Sequence, residues 1–135
     1  KSSIANSTAK AIIILSSIQV LATDHPYEKW ANFPLERNKL IRILSEASKE
    51  KRIIVVSGDR HRSGIYQNNF FIEITASSLN KPGSKFNESD PFLLGETFPE
   101  INYGILDIQP TQNRITISIH DKEGKGLNSK TMDIY

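Results

Sequence analysis

The rhythm of apolar and polar positions changes halfway along the chain. Ala11 to Leu21 opens with the continuous β-branched run "AIIIL", which predicts a strand covered on both faces. "TDHPYEKWANF" breaks that pattern, and Pro26 pushes His25 out of helical geometry. Pro34 then opens a helix predicted to run to about Glu50. At about 100° per residue, Leu40, Ile43, Leu44 and Ala47 share one apolar stripe. Glu36 and Arg37 fall on the same side one turn earlier, at the rim of whatever the helix covers. "RIIVVSG" reads as a second buried strand.

Strand, helix and strand at this spacing predict a βαβ unit with parallel strands and a right-handed crossover. Its consequence is positional. The loops after the two strands, "TDHPYEKW" and "GDRHRSG", should emerge together at the carboxyl edge of the sheet, where open α/β sheets bind ligands.

Beyond Phe70 the pattern alternates. "FFIEITA" (Phe70 to Ala76), "YGILDI" (Tyr103 to Ile108), "RITISIH" (Arg114 to His120) and "KTMDIY" (Lys130 to Tyr135) predict antiparallel strands with one wet face. "DKEGKG" is a hairpin signal between the last two. "SSLNKPGSKFNESDPFLLGETFPEIN" is a long irregular connection, of the kind that is often functional or mobile. The expected fold class is α/β, a βαβ unit followed by mainly antiparallel strands, in a single domain over 1–135.

Composition narrows the function classes. A chain of 135 residues suits one domain with a real core. Lys+Arg 17 against Asp+Glu 15 gives a net charge of +2, with no basic, aromatic-interleaved stripe to hold nucleic acid. Without cysteine there are neither disulfides nor thiolate metal sites. The longest apolar run is far too short to span a membrane.

Candidate chemistry gathers in "IIVVSGDRHRSGIY", where a buried strand runs into an acid, an imidazole and two arginines. In an extended turn, side chains two apart point the same way. Asp59 and His61 would then share one side, with Arg60 and Arg62 on the other. A carboxylate and an imidazole at a strand's carboxyl end make half of a metal site, with Gly58 allowing close backbone approach. The same four residues also fit an ordinary solvated turn. Tyr27 and Trp30 either wall the pocket or pack over the helix; His25, Asp24 and Glu28 share the edge as supporting or surface residues. His120 has the parity of a solvated strand-end histidine, and Glu73 lies opposite Ile72 and Ile74, within possible reach of Arg37 or Arg62.

"VVSGDRHRSGIYQ" resembles the last metal-binding motif of the calcineurin-like metallophosphoesterases, in its alkaline phosphatase D-like (PhoD-like) form. There Gly-Asp-x-His stands where the wider superfamily has Gly-His-x-His, matching Gly58-Asp59-Arg60-His61. "IILSSIQVL", "EKWANFPLERNKL", "FIEITASSLNKP", "NYGILDI" and "ITISIHDKEGK" resemble further segments of that branch in the same order.

The resemblance implies a metal-dependent phosphomonoesterase or phosphodiesterase, in which a hydroxide bridging two cations attacks phosphorus. His61 would ligate one metal and Asp59 the other, with calcium and iron as the pair. Arg60 and Arg62 would bind the phosphate ester or form structural salt bridges, while His25, Trp30 and Arg37 support the ligands from behind. The superfamily's other metal motifs lie upstream of everything matched here. The chain is therefore expected to be the carboxyl-terminal half of an α/β/β/α sandwich, inactive alone. Its expected partners are the amino-terminal half and further copies of itself as a homo-oligomer, and its expected location is periplasmic or secreted. The other reading is a non-catalytic α/β module whose "GDRHRSG" loop contacts a partner.

Overall fold

The computed structural model describes residues 2–135. A short helix α1 (Ser2–Asn6) precedes β1 (Ala11–Ser16), helix α2 (Pro34–Ala47) and β2 (Arg52–Ser57). The remaining strands are β3 (Ser63–Gln67), β4 (Ile72–Ala76), β5 (Asn102–Gln109), β6 (Arg114–Asp121) and β7 (Gly126–Asp133). β1, β2 and β4 run parallel and β3 closes the sheet antiparallel, in the order β1-β2-β4-β3. β5-β6-β7 form a second, wholly antiparallel sheet.

The pleat divides the core in two. Ile53 and Val55 point to one face of the first sheet, where Leu40, Ile41, Leu44 and Ala47 of α2 cover them. Ile54, Ile65, Ile72 and Ile74 point to the other and meet Ile115, Ile117 and Ile119 of β6. Helix, sheet and sheet thus stack as three layers, a mixed α/β fold. At Gly104 of β5 the sheets pack tightly: a Cβ there would stand 3.1 Å from Ala76 and 3.3 Å from Ile74.

The parallel βαβ unit forms as its pattern predicts, from Ala11↔Arg52 to Ser16↔Ser57. Four details differ. β1 stops at Ser16, and Ile18 to Ala22 continue as irregular chain, buried from Gln19 onward. α2 ends at Ala47, and Ile43 lines a surface hollow beside α1 while Ile41 faces the core. β4 is a central strand covered on both faces rather than a half-wet antiparallel one, so its Glu73 is fully buried. "SGIYQ", of which the sequence pattern assigned Ser63 and Gly64 to the loop and the rest to no element, is β3, joined to β4 by a hairpin in which Asn68 Oδ1 accepts from the Phe70 and Phe71 amides.

Candidate functional site

The carboxyl ends of β1 and β2 are paired at Ser16 and Ser57, so the chain leaving each strand leaves from the same edge. The loop after β1 is held by side chains. Glu73 accepts from the Val20 amide at 2.9 Å and the Leu21 amide at 2.7 Å. Arg37 donates to the carbonyls of the same two residues, both at 2.8 Å. Gln19 bridges Thr75 and Arg60, and Trp30 donates its indole N–H to Ser16 Oγ. Burial pushes the Glu73 carboxyl up, opposed by the Ser57 hydroxyl and by those two amides. Arg37 and Trp30 therefore lie behind the first loop, bracing it.

Between β2 and β3 the chain turns through Gly58 to Arg62. Asp59 and His61 take left-handed backbone conformations, φ 68° and 51°, so the turn is not the extended one that alternation assumed. Gly58 is not the strained residue: a Cβ there would meet Ser17 and Ser77 only at 3.8 Å. The partition of side chains nonetheless follows the expected pairs. Asp59 is exposed and His61 half-buried, whereas Arg60 and Arg62 are buried.

Both arginines are engaged within the protein. Glu88, from the long connection, forms ion pairs with Arg60 and, at 3.5 Å, with Arg62. Arg60 Nε also donates to Gln19. Arg62 donates to Thr97 Oγ1 and to the carbonyls of Ser84 and Phe86. Each guanidinium also lies over an aromatic ring at 4.7 Å, Arg60 over Tyr27 and Arg62 over Phe86. The long connection is thus ordered by this site, and it pairs with the β3 edge through Phe98 and Leu93. At Gly83 its backbone runs so close to the His61 carbonyl that a Cβ would sit 2.4 Å from the oxygen.

These three segments enclose a cavity of about 320 Å³. Tyr27 and Glu28 line it from the first loop, Asp59 to Arg62 from the second, and Gly83, Ser84, Phe86 and Glu88 from the third. The sequence motif places the second group; nothing in the sequence marks Glu88, one acid in an irregular stretch, as the counter-ion of both arginines.

His25 is 7% exposed. Its Nδ1 accepts from the Tyr27 amide at 3.2 Å, which puts the ring proton on Nε2, a buried atom with no partner among the described residues. Burial, then the charges of Arg60 and Lys29, lower its pKa to about 4. Asp24 is exposed and gives its amide to Asp90. His120 lies on the other sheet, stacked on Tyr103 at 5.5 Å and bonded to Ser118.

Asp59 and His61 supply donor types that a calcium or iron ion accepts. Yet among the described residues no group of three or more His, Asp or Glu side chains converges to hold a metal. Two donors fall short of the four or more that such ions take.

The described residues thus build a layered α/β fold, and solved structures that share it include the following two. GAP50, "the anchor in the inner membrane complex of Plasmodium", aligns at TM-score 0.71 and 16% identity over 98% of this chain and 39% of its own. PhoD aligns at TM-score 0.66 and 11% identity over 98% of this chain and 30% of its own. The chain therefore spans well under half of either neighbour. No protein-family model and no curated protein sequence matches it.

Proposed function

We propose that this chain is the carboxyl-terminal part of a metal-dependent phosphoesterase, contributing Asp59 and His61 to a metal centre whose other ligands lie upstream. The observation that carries the reading is the Asp59–His61 turn. It stands at the carboxyl end of β2, on a cavity, in a fold shared with PhoD. Calcium and iron are the metals, and phosphate mono- or diesters the substrates, that the PhoD-like motif brings with it. A periplasmic or secreted location rests on the same resemblance. Arg60 and Arg62 act here as the frame of the site through Glu88, and reach phosphate only where Glu88 gives them up.

The test is made in the parent protein. With its upstream residues present, a chromogenic phosphate ester should be hydrolysed in calcium and iron. His61→Ala should then cost more than His25→Ala or His120→Ala, since changes that only support a ligand cost about 10–100-fold. Equal losses for the three variants would remove His61 from the metal centre. An upstream sequence without acidic metal motifs would remove the whole reading.

The likeness to GAP50 supports a second reading, a non-catalytic module that holds a partner. A parent protein that binds no metal yet stays folded would favour it.

A further inference from the structure

Exposed aromatic rings usually lie down on whatever apolar surface is near. Tyr27 and Phe86 do not: they remain 50% and 45% exposed, and both line the cavity that holds Asp59 and His61. Each is fixed in place by a guanidinium 4.7 Å from its ring centroid. Those guanidiniums are themselves immobile, their side chains 4% and 3% exposed and tied to Glu88, Gln19 and Thr97. His25 adds a tilted ring 6.0 Å from Tyr27. The result is two half-open aromatic surfaces from different loops, prepaid in rotamer freedom, beside a carboxylate and an imidazole.

We propose that Tyr27 and Phe86 form a stacking platform that selects phosphate esters whose organic part is a flat ring, aryl or nucleoside. Rigid aromatics bind planar groups at low entropic cost, and base-on-aromatic stacking tolerates any base because every base has a π-face. At about 320 Å³ the cavity is at the lower end of small-ligand sites, room for one ring system and its ester. The inference rests on the phosphoesterase reading for the phosphate end only; the ring end stands on the two aromatics alone.

Amide chemical-shift titrations of the full 135-residue chain separate the two ends. The probes are adenosine, adenosine monophosphate, glycerol phosphate and inorganic phosphate, each with and without calcium. Adenosine and its monophosphate should move the amides around Tyr27 and Phe86, and glycerol phosphate should not. Tyr27→Ala and Phe86→Ala should each weaken adenosine binding by about fivefold or more, while Tyr27→Phe and Phe86→Tyr retain it. Glycerol phosphate acting like adenosine, or the alanine variants binding as well as the aromatic replacements, would overturn the platform. Adenosine and its monophosphate binding equally would uphold the platform; the metal reading is decided separately, in the parent protein that carries the upstream ligands.

Discussion

Asp59 and His61 are held where an L-amino acid is least comfortable, with positive φ at both positions of one short turn. Asp, Asn and His tolerate that region better than other residues, but the conformation still costs about 1–2 kcal/mol apiece. Glycine would relieve it. Asp59→Gly should therefore match or exceed the parent chain in thermal stability, and Asp59→Val should fall below both; a melting series in which valine equals glycine would show the turn to be unstrained. His25 gives the same neighbourhood a pH dependence. Its folded pKa, about 4, lies below the ordinary 6.5, so the unfolded chain takes up the proton first. Stability is then complete above pH 6.5 and drains as pH falls towards 4. Between about pH 6.5 and 5 the loss should be roughly 1–2 kcal/mol. Urea midpoints at those two pH values read it directly. In His25→Gln the difference should shrink to the contribution of the remaining groups; an unchanged slope would acquit His25.

Among the elements, β4 does most to shape the site. Its Glu73 accepts from Val20 and Leu21 amides and so replaces the partner strand that the buried loop lacks. Glu73→Ala should cost about 3–5 kcal/mol, because it leaves two buried N–H groups without acceptors and opens a hole. Glu73→Gln should fall between; equilibrium unfolding ranks the three, and a neutral alanine variant would refute the role. This dependence also explains which parts of the molecule were legible in the sequence. β1, α2 and β2 announced themselves through β-branched runs, a proline at the helix start and a helical stripe. β6 followed from the Ile115, Ile117 and Ile119 alternation. The motif singled out Asp59 and His61, which line the cavity after β2. β3 was hidden, because it is five residues long and only Ile65 and Tyr66 of it are apolar. Glu73 and Glu88 were hidden for a different reason. A buried acid leaves no periodic trace, and its partners here, loop amides and two arginines, are chosen by the tertiary fold.

Taken whole, the molecule leaves an apolar strand at a sheet edge. β1 is the end of its sheet, with β2 on one side only. Ile13 and Leu15 point towards the inter-sheet face, opposite Ile54 and Val56, but remain 39% and 80% exposed. An apolar, β-branched edge with open N–H and C=O groups invites pairing with another strand. The isolated chain should accordingly self-associate in a concentration-dependent way, and Leu15→Lys should return it to the monomer. Light scattering across a dilution series decides, since a chain that is already monomeric at high concentration would leave the edge without that role. A parent protein whose upstream strands cover β1 should not show the effect.

The loop from Gln19 to Ala22 has no regular structure, yet two of its amides are bonded to a side-chain carboxyl that never sees water. In heavy water the Val20 and Leu21 protons should outlast those of the paired strand β7, whose residues are mostly half-exposed or exposed. Releasing them leaves the fully buried Glu73 without those partners, so this nominal loop should open with the sheet and not before it. A map of the molecule drawn by exchange lifetime would then place this segment, whose Gln19 holds Arg60 of the candidate site, among its last parts to loosen.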